Sequence, residues 1–286
     1  VTRSDMTGTH FDAANPAIGK RVVAGGIDTN YLDEGRGSGV PVVLLHGSGP
    51  GVSGYANWRL TIPTLAVDRR VLAPDLVGFG YSERPRDYRY VMDAWIGQVQ
   101  DFVDALGLDR YSLVGNSFGG ALALRLAAEN HDRIDRLVLM GSVGVPFEIT
   151  EGLDAVWGYE PSVDAMRRVL DYFAHNRALI DDDLAEARYQ GSIQPGFHES
   201  YAAMFPAPRQ RWVDAMVTDD DAIRSITCPT LIVHGREDKV IPRSTSARLF
   251  DLIPDARLHM FGRCGHWTQI EHAAEFNALV SSFLAT

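Results

Sequence analysis

Three side chains far apart in the chain have the types and settings for joint nucleophilic chemistry. Ser117 stands in GNSFGG, between the apolar run YSLVG and a helical stretch, with Gly115 and Gly119 two places to either side. Those glycines remove the Cβ atoms that would crowd a strand turning into a helix around one residue. A serine hydroxyl is a weak nucleophile at neutral pH unless a base lies within hydrogen-bond reach and a third group orients that base. Asp238 follows the run TLIVHG in GREDKVIP, and His266 follows ARLHMF in GRCGHW. The order nucleophile, acid, base, each just past a strand, predicts Ser117 as the attacking group, His266 as the base and Asp238 as its holder. Attack on a carbonyl carbon builds an oxyanion, and its donors are expected from two backbone amides. One is that of Ser48, in HGSGPG; the other is that of Phe118, directly after the nucleophile. HGSGPGVSG is a poor phosphate loop because no GK[ST] follows, and His46 reads as a structural histidine at a strand end.

The elements that must position these residues show in the hydrophobic pattern. Buried-strand runs recur at 42–46 (VVLLH), 70–75 (RVLAPD), 111–115 (YSLVG), 136–141 (RLVLMG), 230–235 (TLIVHG) and 256–261 (ARLHMF), with helical patterns between them. That alternation predicts an α/β fold with a mostly parallel central sheet and helices on both faces. Ile96, Val99, Phe102, Val103 and Leu106 share a helical face, and Gly107 supplies a stop. VVAGGIDTNYLDEG reads as an antiparallel hairpin leading into the sheet. After Gly141 the rhythm lapses: PSVDAMRRVLDYFAHNRALI reads as one helix with Ser162 as N-cap, and DDDLAEARYQGS as another. The expected division is a core over 1–143, a helical lid over 144–215 and a second core part over 216–286, the lid covering the strand ends where open α/β sheets bind ligands.

The chain has 286 residues, 45% of them hydrophobic, enough for a large core. Twenty-seven basic against 37 acidic residues give a net charge of −10, which repels a nucleic-acid backbone, and no basic stripe offsets it. No run approaches the roughly 20 apolar residues of a membrane span, and no signal-peptide pattern is seen, so the cytoplasm is the expected location. Cys228 and Cys264 lack disulfide-framework or CxxC spacing and are expected to be reduced and structural, with no metal site. Residues 1–20 lack a clear period and read as a loosely held arm.

HGSGPGVSGYANW, DLVGFGYS, GNSFGG, HGREDKVIP and GRCGHW together resemble a known family. It comprises the α/β-hydrolases that cleave carbon-carbon bonds in the meta-cleavage products of aromatic degradation, and the likeness is strongest to 2-hydroxymuconate-semialdehyde hydrolases and relatives acting on monocyclic products. The resemblance spans nearly the whole chain. It implies an α/β-hydrolase fold, no cofactor, a small-molecule dienoate substrate and a homo-oligomer, dimer or higher. A carbon leaving group must drain its charge into a conjugated carbonyl, which a 2-hydroxy-6-oxo-dienoate provides after ketonisation. The resemblance assigns the substrate's carboxylate and 2-oxo end to Arg188, Asn57, Asn116 and Trp267, and a guanidinium suits a carboxylate. Each has a plainer role available: Asn57 could cap the helix near Trp58, Asn116 could satisfy turn backbone, Trp267 could pack in the core, and Arg188 could lie on a solvated helix face. Two rival functions use the same residues, a carboxylesterase with this triad and a non-catalytic ligand-binding homologue. Either an acyl-enzyme on Ser117 or water directed by His266 satisfies the sequence, which leaves the C6 substituent open.

Overall fold

Alternate side chains of the central strands face opposite layers, which is what a sheet covered on both sides requires. Val43 and Leu45 join the core on one face, with Leu113, Leu137 and Ile232. Val42 and Leu44 join the other, with Val114, Val138 and Val233. The structure, a computed structural model, describes residues 15–286. Eight strands run in chain order β1 (Lys20–Ala24), β2 (Ile27–Glu34), β3 (Gly39–Leu45), β4 (Arg69–Pro74), β5 (Tyr111–Asn116), β6 (Ile134–Met140), β7 (Thr230–Gly235) and β8 (Ala256–Phe261). They form one sheet in the order β1-β2-β4-β3-β5-β6-β7-β8. The β1–β2 and β2–β4 pairs are antiparallel, and all others are parallel. All six runs expected as strands are strands, and the hairpin is β1–β2.

The helix Met92–Ala105 buries Ile96, Val99, Phe102 and Val103 on its inner face, and Gly107 ends the segment at φ +66°. The helix Phe118–Glu129 is apolar nearly all round and lies under the sheet centre, directly continuing β5. Helix Ala273–Ala285 covers the opposite face.

Between β6 and β7 the chain leaves the sheet and forms six α-helices, Glu151–Trp157, Val163–Phe173, Asp182–Ser192, Phe197–Met204, Gln210–Ala215 and, after the insertion closes, Asp220–Arg224. The two ends of this insertion meet where the Thr218 amide donates to the Gly144 carbonyl at 2.9 Å. Ser162 caps its helix as expected, accepting from the Ala165 amide at 3.1 Å. The single helix read over 161–180 is instead broken at Ala174, and a short 3-10 turn follows at Arg177–Leu179. Tertiary bonds explain the break: the Phe173 carbonyl accepts from the His266 amide at 2.7 Å, and the Glu271 carboxylate accepts from the Asn176 amide at 2.7 Å.

The loose-arm reading also needs correction where it can be judged. Residues 1–14 lie outside the described residues, but from residue 15 the chain is tied down. Asn15 donates to the Tyr81 hydroxyl at 2.6 Å, the Gly19 amide donates to Asn30 Oδ1 at 2.9 Å, and Lys20 pairs with Asp33 at 2.8 Å as β1 begins.

Close to the nucleophile, Gly119 places a strict demand on the fold: an added Cβ would run into the backbone carbonyls of Leu45 and His46 at the end of β3. Backbone cannot yield as a flexible side chain can. Gly119→Ala is therefore expected to cost about 3 kcal/mol, the upper range for overpacking, read as a lower urea midpoint at unchanged slope. A midpoint equal to wild type would show that this close approach does not constrain the elbow.

Candidate active site

Ser117 sits where β5 gives way to the helix Phe118–Glu129, at φ +54° and ψ −113°. A non-glycine residue held there stores strain of about 1–3 kcal/mol, and its surroundings over-determine it. Its amide donates to the Met140 carbonyl at 2.9 Å, while its own carbonyl accepts from the amides of Gly120, Ala121 and Val143 at 3.0, 3.2 and 3.2 Å. The sharp bend presents the side chain at the carboxyl end of the sheet.

Asp238 and His266 stand on the loops after β7 and β8, which pair in parallel up to Gly235 and Phe261. His266 Nδ1 lies 2.7 Å from Asp238 Oδ2. The other carboxylate oxygen accepts from the amides of Val240 and Ile241 at 2.7 and 2.9 Å. Burial opposes ionisation of Asp238, but His266 and His234 outweigh it and hold the carboxyl well below the usual carboxylate range. An ionised carboxylate only accepts, so Nδ1 carries the proton and Nε2 keeps the lone pair of a base. Gly141 stands at φ +51°, and a Cβ there would lie 3.2 Å from the His266 ring and 3.3 Å from Asp238 Oδ2.

The loop after β3 is held from several directions. His46 is fully buried; its Nε2 accepts from the Leu76 amide at 3.0 Å, so its Nδ1–H donates to the Gly47 carbonyl at 2.7 Å. That carbonyl belongs to the same peptide group as the Ser48 N–H, so His46 fixes the plane of one expected oxyanion donor. The Gly47 amide in turn donates to Asn57 Oδ1 at 3.3 Å. Asn57 does not cap a helix: the helix runs Gly54–Trp58 and Ser53 caps it, accepting from the Ala56 amide at 3.1 Å. Its Nδ2 is buried with no hydrogen-bond partner among the described residues. The amides of Ser48 and Phe118 likewise have no acceptor among the described residues. Asp75, first residue of DLVGFGYS, accepts from the Gly54 and Tyr81 amides at 2.6 and 2.7 Å and from Asn30 at 2.8 Å, while burial pushes it up to about 6.

All four predicted substrate-binding residues, both expected oxyanion loops, Ser117 and His266 meet around one cavity of about 410 Å³. Ser48, Asn57, Asn116, Arg188 and Trp267 line it directly, whereas Phe118 only flanks it through the elbow. Its polar residues cluster: Gln269 donates to the Asn57 carbonyl at 3.4 Å, and Arg59 acts on the charge of Arg188. Arg188 belongs to the helix Asp182–Ser192, and its Nε is enclosed with no partner among the described residues. Burial and then the Arg59 guanidinium pull Arg188 down to about 10, so it remains cationic at neutral pH. Apolar lining comes from Leu153, Val156 and Val240, drawn together where Thr150 donates to the Val240 carbonyl at 2.7 Å. Asn116 also serves the backbone, donating to the Met140 carbonyl at 3.3 Å.

Two contributors escaped the sequence. His234 approaches Asp238 Oδ2 at 3.3 Å through Nε2, with Ser246 on its Nδ1 at 2.7 Å. Its place four residues before Asp238 was the available signal. Phe173 stacks on His266 at 5.7 Å and on Trp267 at 5.0 Å; nothing in the helical pattern of its segment marks that contact. Cys228 and Cys264 are buried free thiols pushed up by desolvation, Cys228 to about 11. No helix among the described residues is long and apolar enough to cross a membrane.

A family model of the alpha/beta hydrolase fold matches residues 40–273, which places the chain in that class of proteins. The chain is 59% identical over 271 residues to the 2-hydroxymuconate semialdehyde hydrolase of Pseudomonas sp. (strain CF600), covering 95% of each. It is 58% identical to the 2-hydroxy-6-oxo-2,4-heptadienoate hydrolase of Pseudomonas putida F1, covering 95% of this chain and 98% of the relative. The solved meta-cleavage product hydrolase of Pseudomonas fluorescens IP01 (CumD) superposes with a TM-score of 0.93 at 55% identity, covering 95% of this chain and 99% of that one. The chain belongs to the meta-cleavage product hydrolases.

Burial also holds His46 neutral, down at about 4 against an ordinary 6.5. Between those values the unfolded chain binds a proton that the folded one refuses, so stability falls as pH falls through the window. His46→Gln cannot titrate there. The stability gap between wild type and His46→Gln at pH 7 is expected to narrow by about 2 kcal/mol on going to pH 4.5, measured by urea unfolding at each pH. A gap independent of pH would contradict the neutral, doubly bonded ring.

Proposed function

We propose that this enzyme hydrolyses the C5–C6 bond of 2-hydroxy-6-oxo-hexa-2,4-dienoates, giving 2-hydroxypenta-2,4-dienoate and a carboxylic acid. Ser117, His266 and Asp238 carry the chemistry, the amides of Ser48 and Phe118 take the oxyanion, and Arg188, Asn57, Asn116 and Trp267 hold the carboxylate and 2-oxo end. His266, oriented by Asp238, first assists transfer of the 2-hydroxyl proton to C5. The product of that shift has a 2-oxo group conjugated with the C3–C4 double bond, and a saturated C5 attached at C4 of that enone. His266 Nε2 then takes the proton of the attacking group at the C6 carbonyl, either the Ser117 hydroxyl, whose acyl-enzyme a water later hydrolyses, or a water directly, so that one water is consumed on either route. When the C5–C6 bond breaks, its electron pair moves through C4 and C3 onto the 2-oxo oxygen, an enolate that the polar end of the cavity can solvate. The helical insertion acts as the lid that keeps this site from bulk water, with the proposed division at 1–143, 144–215 and 216–286.

The observation that carries the reading is Arg188: a desolvated guanidinium with an unpartnered Nε on the same cavity as Ser117 and His266. A neutral ester gives such a group nothing to bind, whereas a carboxylate gives it a charge-assisted partner. The relatives named for 2-hydroxymuconate semialdehyde or 2-hydroxy-6-oxo-2,4-heptadienoate share 52–59% identity, against 36–37% for those named for phenyl and aminophenyl substrates. Together with the apolar wall of Leu153, Val156 and Val240, this supports a small C6 substituent, hydrogen or short alkyl.

Ser117→Ala is expected to slow bleaching of the conjugated dienoate by at least ~10³-fold; wild-type turnover in that variant would remove Ser117 from the mechanism. Arg188→Gln is expected to lower kcat/KM for the dienoate about 100-fold, the worth of about 3 kcal/mol for a buried charged partner. Turnover of p-nitrophenyl acetate should change less than about threefold, because a neutral ester needs no such partner. Equal losses on the two substrates would favour a carboxylesterase.

A further inference from the structure

We propose that Trp157 and Tyr201 of the helical insertion are positioning residues that complete the oxyanion hole by clamping Ser48, adding to the hold of His46 on the preceding peptide. The inference rests on the reading that the Ser48 amide receives the oxyanion. His46 fixes the Gly47–Ser48 peptide through the Gly47 carbonyl, but leaves the rest of Ser48 free to swing. Both remaining polar handles of Ser48 are taken by the insertion. Trp157 Nε1 donates to Ser48 Oγ at 2.9 Å, and the Tyr201 hydroxyl lies 3.1 Å from the Ser48 carbonyl. The same hydroxyl lies 2.6 Å from the Val156 carbonyl, so its one proton is shared between the core loop and the insertion's own backbone.

Neither residue works as a lining group. Trp157 and Tyr201 are 3% and 4% exposed and do not border the main cavity, so neither touches substrate. Burial raises the Tyr201 phenol well above its ordinary range, so it stays a donor. The clamp reaches the second donor as well: Trp157 stacks on Phe205 at 4.5 Å and 13°, and Phe205 meets Phe118 edge-on at 6.0 Å and 79°. Both residues whose amides face the oxyanion are thus packed against the insertion. Seating of these helices and assembly of the hole are one event. An oxyanion donor contributes only when it is fixed before charge develops, and loss of one typically lowers kcat by ~10²–10³. Loosening a donor that stays in place should cost a fraction of that.

The test uses Tyr201→Phe and Trp157→Phe. Each removes one donor; Tyr201→Phe keeps the ring, and Trp157→Phe puts a smaller aromatic ring in place of the indole. For Tyr201→Phe, kcat for the dienoate should fall about tenfold with KM within twofold of wild type, since positioning a transition-state donor changes kcat and spares ground-state binding. In single-turnover stopped-flow, the ketonisation phase should keep its rate while the cleavage phase slows by that factor. Turnover of p-nitrophenyl acetate should fall by the same factor, because both substrates use one hole. This ester arm reads the clamp even if the dienoate proves not to be the substrate. A rise in KM at unchanged kcat, or equal slowing of both stopped-flow phases, would overturn the proposal, as would unaltered ester turnover. If Trp157→Phe fails to fold, Tyr201→Phe alone decides, its urea midpoint recording that the loss in kcat is not a loss of folded enzyme.

Discussion

A single buried carboxylate sets the terms for this structure. Asp238 lies beneath the site, where an isolated carboxylate would take up a proton instead of bearing desolvation. It stays ionised because two backbone amides address one oxygen and two histidine rings address the other. Each donor imposes a condition on the fold. The loop after β7 must curl back so that Val240 and Ile241 present their amides, β8 must lie beside β7 to bring His266 within reach, and residue 141 must lack a Cβ to admit both groups. His234 is fixed in turn, since its Nε2 faces only acceptors, Asp238 and the Ile241 carbonyl, and must therefore carry the proton. The tautomer that leaves His266 Nε2 free as a base is thus a consequence of keeping one charge buried.

The parts of this arrangement that follow chain period were legible in the sequence. Six apolar runs of strand length, separated by helical patterns, admit few arrangements once short connections and right-handed crossovers are required. Ser117, Asp238 and His266 were found because each stands at a strand end beside glycines, a local mark of a backbone that must turn sharply. What escaped lies where a distant contact outweighs a local preference. The helical pattern over 161–180 contains nothing that breaks it. The break at Ala174 comes from the His266 and Trp267 amides, both donating to the Phe173 carbonyl. Likewise Asn57 has the residue type of an N-cap, yet its side chain serves the Gly47 amide across the loop and Ser53 caps the helix.

The insertion marks a second limit. Its helices could be anticipated from their apolar faces, but a helical period says which residues are inward and not what they meet. Phe173, Trp157 and Tyr201 would satisfy that period as ordinary core residues. In the structure they reach His266, Trp267 and Ser48, all on the sheet side of the cavity. Side chains of the insertion share one continuous hydrophobic cluster with the sheet and its helices, so the covering segment packs into the core and does not merely lie over it.

Charge distribution then bears on what such a cavity selects. The chain carries a net charge of −10, yet its cavity holds Arg59 and Arg188, and neither has a carboxylate partner among the described residues. At physiological salt the overall charge is screened beyond roughly 8 Å, so it neither steers an anion in nor cancels the local field of two guanidiniums in a partly dry pocket. Mutual repulsion makes that pair less stable when empty than when an anion lies between them, a preference independent of the shape of the rest of the ligand. The same cavity also has an apolar lining that includes Leu153, Val156 and Val240. A ligand satisfying both carries an anionic group and an apolar part. In the proposed dienoate the carboxylate is bonded to the carbon that bears the 2-oxo group, so under that reading side chains that hold the anion also stand next to the oxygen that receives the electron pair released on cleavage.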